Sequence, residues 1–133
     1  MRPFVVAGIQ LDVGRGDETE RAARTIRGIL RRFPYIQLVL LSELAATGHE
    51  PEDAQPLPGP AEERFCALAQ ELGIWLVPGS IYERVGEHVY NTTPVIDPAG
   101  TVVGRYRKMF LFEPYEPRVT PGERPLVFDV PGV

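Results

Sequence analysis

The sequence has little of several things that define whole classes of protein. It contains one cysteine, Cys66, and two histidines among 133 residues, and its formal net charge is −4. One cysteine excludes an intrachain disulfide scaffold and favours a reducing compartment, so we expect a cytoplasmic protein. The acidic balance gives no general attraction to nucleic acid or to anionic membranes, and we expect neither as a partner.

Long hydrophobic runs and known ligand motifs are also missing. The first apolar run, residues 1–9, ends at Gln10 and is too short for a convincing signal peptide. No glycine-rich phosphate loop follows it, which argues against a nucleotide-binding domain. His49 has no second histidine at ligand spacing, so we expect no bound metal, and no pattern in the sequence indicates a cofactor.

The sequence does contain alternating signals for strands and helices. Residues 3–11 and 35–41 are apolar runs with β-branched residues, typical of strands buried on both faces. Between them, apolar residues recur at helical spacing, Asp17 and Glu20 form a predicted capping box, and Pro34 ends the helix. A strand, a helix and a strand in this order predict a βαβ crossover within a parallel sheet.

The same pattern repeats once and then changes. Pro60 suits the first position of a second helix, and Gly73 is expected to end it. A turn at residues 97–100 joins two strands that we expect to be antiparallel, and residues 109–125 form a long proline-rich loop. The remaining predicted strands are residues 74–77, 89–96, 101–107 and 126–130.

Two charged residues stand at the ends of predicted strands. Glu43 follows the second apolar run, and ligands of open α/β sheets bind just beyond the carboxyl ends of strands. A carboxylate at that position can act as a general base. Lys108 ends a later strand and can offer a compact positive charge to an anion that develops during a reaction. Taken alone, Glu43 is equally consistent with a solvated loop acid, and Lys108 fits an exposed surface lysine better than a catalytic one.

Taken together, the motifs around these residues resemble the nitrilase superfamily of carbon-nitrogen hydrolases. The motifs are residues 41–48, 104–110, 114–116 and 120–123, in the order of the family, and the resemblance continues to residues 127–132. The resemblance implies an α-β-β-α sandwich. The chain would hold half of it, an α/β unit made of a mixed sheet with two helices on one face.

The resemblance also implies a Glu-Lys-Cys mechanism. Glu43 would match the general base, Lys108 the lysine of the triad, and Glu116 a second active-site glutamate that holds the lysine and the substrate. The substrate would be a small amide, nitrile or carbamoyl compound. A cysteine thiolate would attack it, and water would then cleave the covalent intermediate.

The family's cysteine is expected beyond residue 133. Cys66 lies in the second predicted helix and is interpreted as a small apolar residue. We therefore expect residues 1–133 to be an incomplete carbon-nitrogen hydrolase domain that is inactive alone. Three explanations stay open: a truncated hydrolase, one chain of a split enzyme that associates with a C-terminal half, or a cysteine-less binding or interaction module. Open sheet edges also predict a homo-oligomer.

Overall fold

Six strands and two helices make up the part of the chain that the structure, a computed structural model, describes, residues 3–133. Met1 and Arg2, which the predicted domain and first apolar run include, lie outside the described residues. The elements are β1 (Val6–Ile9), α1 (Thr19–Arg32), β2 (Leu38–Leu41), α2 (Pro60–Leu72), β3 (Trp75–Val77), β4 (Ile81–Val85), β5 (His88–Ile96) and β6 (Val102–Arg107). One 3-10 turn, Pro51–Asp53, precedes α2.

The strands form one mixed sheet in the order β1-β2-β3-β5-β4, with β6 also paired to β5. β1, β2 and β3 are parallel, with Val6 opposite Leu38 and Leu38 opposite Trp75, whereas β5 runs antiparallel to β3, β4 and β6. α2 begins at Pro60 and ends before Gly73, whose φ of 63° is left-handed. The two crossovers and the antiparallel second half confirm the predicted α/β sheet.

Both helices pack against the same face of the sheet. Val39, Leu41 and Leu76 point to this face and join Ile26 of α1 and Phe65 of α2 in one buried cluster. Side chains alternate along a strand, so these three strand residues define the face that the helices cover. Each such buried side chain contributes about 1.5–3 kcal/mol of hydrophobic stabilisation.

The opposite face of the sheet carries no helix in residues 3–133. Val6 and Leu40 point to it and are 53% and 44% exposed. Phe128 covers part of it by stacking on Trp75, with ring centroids 5.7 Å apart. We call this surface the helix-free face.

The start of α1 differs from the predicted capping box. The helix begins at Thr19 with Glu18 as its N-cap, so Glu20 occupies the second helical position instead of the third, which a capping box requires. The Asp17 carboxylate accepts hydrogen bonds from the Thr19 amide at 3.0 Å and hydroxyl at 2.6 Å. Glu20 instead pairs with Arg24 at 3.7 Å on the helix surface. The predicted Asp17–Glu20 box is therefore wrong.

Two segments differ from the predicted strands. β4 was not predicted, because Glu83 places a charge in the middle of a short strand; there it is buried and paired with Arg107. Residues 126–130 were predicted as a strand and are not one. No ladder of backbone hydrogen bonds joins them to a neighbour within the described chain, and Pro125 and Pro131 remove two backbone donors at their ends.

Candidate active site

Glu43 is presented by a tight backbone turn at the end of β2. Leu44 has a φ of 53°, a left-handed conformation that costs a non-glycine residue roughly 1–2 kcal/mol. Its amide donates a hydrogen bond to the Ser80 hydroxyl oxygen at 3.1 Å. A Cβ on Gly79, which has a φ of 76°, would collide with the carbonyl oxygen of Ser42. Residues 79 and 80 therefore brace the turn that orients Glu43.

Lys108 lies between two carboxylates. Its Nζ donates to Glu43 Oε1 at 2.8 Å and to Glu116 Oε2 at 2.7 Å. The backbone of Lys108 is fixed on both sides, because its amide donates to the Asn91 carbonyl and its carbonyl accepts from Gly122, each at 2.8 Å. The structure thus brings together all three residues that the sequence resemblance singled out.

Glu116 is the most enclosed member of the cluster, with 5% of its side chain exposed. The backbone amide of Phe112 donates to Oε2 at 2.9 Å, and the Asn91 amide nitrogen donates to Oε1 at 2.8 Å. The Tyr82 hydroxyl makes a longer contact with Oε1 at 3.5 Å. A buried carboxylate with this many donors is well compensated for its lost hydration.

Asn91 is the site residue that sequence reasoning missed. It lies within the predicted strand 89–96, yet its Nδ2 also donates to Glu43 Oε1 at 2.7 Å. The side chain is buried. Pairing of the two predicted strands would have indicated Asn91. In the structure Thr92 lies opposite Arg107, which places Asn91 opposite Lys108 in the next pair. That register only follows once the two strands are aligned.

The hydrogen bonds shift the pKa values of the cluster. Burial disfavours the ionised Glu116, but hydrogen bonds from Lys108, Asn91 and the Phe112 amide outweigh it and hold its pKa below the usual value. Burial likewise opposes the Lys108 ammonium, and hydrogen bonds to Glu116 and Glu43 still raise its pKa. Burial and the two nearby carboxylates raise the pKa of Tyr82 to about 12, so its hydroxyl stays protonated.

The cluster opens into a cavity of about 260 Å³. Leu40 and Val77 form an apolar wall from β2 and β3, while Thr93 and Tyr106 add polar groups from β5 and β6. Leu40 belongs to the helix-free face, so the cavity lies on that side of the sheet. It has room for a small molecule beside Glu43 and Lys108.

A larger cavity of about 630 Å³ lies on the other side of β6. Arg105 and Arg107 line it, but each uses its guanidinium in a two-point bond: Arg105 with Glu62 at 2.7 and 2.6 Å, Arg107 with Glu83 at 2.9 Å twice. Burial opposes ionisation of Glu83, yet the bonds from Arg107 and Thr92 lower its pKa. These charges compensate each other and hold α2 and β4 to β6.

Cys66 is not part of the cluster. It lies in α2 and packs against the hydrophobic core between the helices and the sheet. Glu43 and Lys108 line the cavity on the helix-free face instead. Burial, reinforced by nearby Glu62, raises the pKa of its thiol. A thiol in this state is a poor nucleophile at neutral pH.

Comparison with known proteins decides the family. The sequence profile of the family described as "Carbon-nitrogen hydrolase" matches residues 6–131. This chain belongs to the carbon-nitrogen hydrolase family. Omega-amidase NIT2 of Xenopus tropicalis is 32% identical to it over 130 residues, 88% of this chain and 46% of that protein. Omega-amidase NIT2 of Homo sapiens is 31% identical over an alignment of 146 positions including gaps, which covers 98% of this chain and 52% of that protein. The chain spans about half the length of these relatives.

Solved structures agree with this membership. Saccharomyces cerevisiae Nit3, a member of branch 10 of the nitrilase superfamily, has a TM-score of 0.79 at 25% identity, covering 91% of this chain and 49% of Nit3. XC1258 of Xanthomonas campestris, a CN-hydrolase superfamily protein, has a TM-score of 0.82 at 22% identity, covering 99% of this chain and 51% of that chain. The predicted nitrilase-superfamily resemblance and the predicted fold class are confirmed.

The described residues contain neither a candidate metal cluster nor a candidate membrane-spanning helix. In residues 3–133, no group of three or more histidine, cysteine, aspartate and glutamate side chains is arranged to hold a metal ion. Neither of the helices in that range has the length and hydropathy that crossing a membrane requires.

The turn at Glu43 yields a stability prediction. We expect Gly79→Ala to lower the free energy of unfolding by about 2 kcal/mol, because alanine would need a left-handed backbone and would meet the Ser42 carbonyl. Chemical denaturation measures this change. The matched control is Gly28→Ala in α1, where the nearest atom is 3.8 Å from the new Cβ, and it should add about 0.5–1 kcal/mol of stability. Equal effects would contradict the close approach at Gly79.

The lowered pKa of Glu116 yields a pH prediction. Folding favours its charged form, so the stabilisation is complete above pH 4.5, its usual pKa, and is lost as pH falls through the lower folded value. Glu83 contributes with the same sign. We expect the denaturation midpoint to fall less between pH 5 and pH 3 in Glu116→Gln than in the wild type. Glu113→Gln, at an exposed loop residue, should leave the wild-type profile unchanged; an equally flattened profile there would contradict the assignment.

Proposed function

We propose that this chain supplies three of the active-site groups of an enzyme that hydrolyses the carbon-nitrogen bond of a small amide or nitrile. The observation that carries the proposal is the placement of Lys108 Nζ within 2.8 Å of both Glu43 and Glu116, although Glu43 lies 65 residues away along the chain. An ammonium and two carboxylates at one cavity are the groups needed for proton transfer and anion stabilisation.

Hydrogen bonding distinguishes the proposed roles of the two glutamates. Both oxygens of Glu116 receive short hydrogen bonds, so this carboxylate anchors Lys108 and is poorly placed to take a proton. Glu43 is 52% exposed and accepts both of its bonds at Oε1. Its Oε2 receives no donor from residues 3–133, which leaves lone pairs for a proton. We therefore assign the general base to Glu43.

Lys108 is proposed to stabilise the anion that develops during the reaction. Its raised pKa keeps the ammonium charged at neutral pH. An ammonium has three N–H donors, and within the described chain two of them are used by Glu43 and Glu116. The third is available to an oxygen or nitrogen of the substrate in the adjoining cavity. Such a positioned charge typically contributes about 10²- to 10³-fold in rate.

The proposed reaction needs a thiol from outside these 133 residues, because Cys66 faces the other side of the sheet. Glu43 takes the thiol proton, sulfur bonds to the amide carbon, and the carbonyl electron pair moves to the oxygen beside Lys108. The oxygen pair then reforms the carbonyl, the C–N bond breaks, and the amine leaves with the proton from Glu43. Water next gives a proton to Glu43 and attacks the thioester. The C–S bond breaks, and the thiolate recovers the proton.

The wider setting of the enzyme is part of the proposal. Residues 1–133 would be the N-terminal portion of the domain, with the helix-free face packed on a second sheet from further along the protein or from a separate C-terminal half. The exposure of Val6 and Leu40 supports this packing. We also propose a cytoplasmic homo-oligomer, whose copies would pair at open sheet edges. Two relatives carry the name omega-amidase, which favours a terminal carboxamide over a nitrile as substrate.

A second candidate function is a binding module without turnover. The observation that favours it is the position of Cys66, since no thiol of the described residues lies at the Glu43–Lys108 cavity. Such a module would bind small carboxamides through the free N–H of Lys108. Calorimetric titration distinguishes the two functions, because heat of binding without product indicates the module.

The test of the proposed function is ammonia release by the complete gene product that contains these residues. We expect hydrolysis of small carboxamides, and we expect Glu43→Gln and Lys108→Ala each to lower kcat/KM by about 10²- to 10⁴-fold, since each removes a charge used in the transition state. The matched control is Glu52→Gln, at a surface carboxylate paired with Arg118 outside the cavity, which should keep wild-type activity. A gene product that binds carboxamides and releases no ammonia would refute the enzyme.

A further inference from the structure

Asn91 contacts all three residues of the proposed site. Its Nδ2 donates to Glu43 Oε1 at 2.7 Å and to Glu116 Oε1 at 2.8 Å, and its backbone carbonyl accepts from the Lys108 amide at 2.8 Å. The residue is 2% exposed. The reverse amide orientation would face Oδ1 towards two carboxylate oxygens that only accept, so the nitrogen must point at the glutamates.

We propose that Asn91 is the positioning residue of this site: its amide spaces the two carboxylates and leaves one oxygen of Glu43 and one N–H of Lys108 free for the substrate. This role rests on the proposed hydrolase function. Asn91 itself touches no reacting atom in the mechanism above, so it acts through Glu43, Glu116 and Lys108.

The donor count shows why the amide matters. An amide nitrogen carries two hydrogens, and Asn91 spends both on the two carboxylates. Without them, Glu116 Oε1 keeps only the 3.5 Å contact with the Tyr82 hydroxyl. The nearest strong donor is then the remaining N–H of Lys108, which would turn from the cavity to Glu116. The ammonium would be fully occupied by its own anchors.

The neutrality of asparagine is equally important. Glu43, Glu116 and Lys108 together carry one net negative charge when ionised, and Tyr82 stays protonated beside them. Two carboxylates this close tend to share a proton unless donors separate them. An amide supplies two donors without adding a charge, whereas an aspartate would add a third negative charge and favour proton binding.

The first test is a titration of the complete gene product that contains these residues, and it needs no catalysis. Carboxyl carbon NMR follows Glu116 in the wild type, Asn91→Leu and Asn91→Asp. We expect the pKa of Glu116 to rise by about one pH unit or more in both variants, through a lost hydrogen bond in the first and an added negative charge in the second. The two variants keep the test valid where one of them fails to fold.

The matched control is Thr92→Val on the same strand. Thr92 donates a buried hydrogen bond to Glu83 at 2.6 Å on the opposite face of the sheet. Its loss should reduce stability and leave the pKa of Glu116 at the wild-type value. A Glu116 pKa that is unchanged by both Asn91 substitutions, or that moves equally in Thr92→Val, would overturn the proposal.

The second test measures kinetics of the complete gene product. We expect Asn91→Leu to lower kcat roughly 10- to 100-fold, the equivalent of a hydrogen bond to a charged group, while KM stays close to wild type. Asn91→Asp should move the acidic limb of the pH–rate profile upward. A wild-type product without activity would contradict the proposed function, whereas an active enzyme whose kcat survives Asn91→Leu would contradict only the role of Asn91.

Discussion

The interaction on which the rest of this structure depends is an ammonium shared by two carboxylates. Lys108, Glu43 and Glu116 come from three separate segments, and enclosing the charges of Lys108 and Glu116 is costly unless each has a partner of opposite sign. The fold meets this cost locally: Glu116 receives its full set of donors, and Lys108 is held by backbone hydrogen bonds on both sides. Both oxygens of Glu116 are therefore held by hydrogen bonds, whereas one oxygen of Glu43 has no donor from residues 3–133.

The mixed direction of the sheet makes this convergence feasible. β2 is parallel to β3, and β5 runs against β3, so the end of β2 and the start of β5 lie at one edge of the sheet. β6 runs against β5 and ends at that same edge. If the sheet had continued in parallel after β3, the next strand would point the same way as β2. Its first residues would then lie at the opposite end of the strands, away from Glu43. The change of direction after β3 thus has a chemical consequence.

Local signals explain what the sequence predicts well. Pro60 and Gly73 mark the ends of α2 through backbone preferences that act within a few residues. Glu43 and Lys108 stand at the carboxyl ends of predicted strands, where open α/β sheets bind their ligands. The resemblance of the surrounding motifs added Glu116. Asn91 was beyond reach because its partners lie 48 and 25 residues away and its role depends on register. Strand β4 was not predicted because the charge of Glu83 is compensated only when the folded chain brings Arg107 beside it.

Lys108 is the only lysine in the sequence, and apart from two histidines the other basic side chains are arginines. Arginine serves the structural ion pairs because its planar fork binds a carboxylate at two points. The one flexible primary amine is thereby reserved for the cavity. Reagents that acylate lysine have only this side chain to modify within these 133 residues, and because its ammonium is held charged by two carboxylates they need alkaline conditions to react there. Acylation at Lys108 would therefore both mark the cavity and block it.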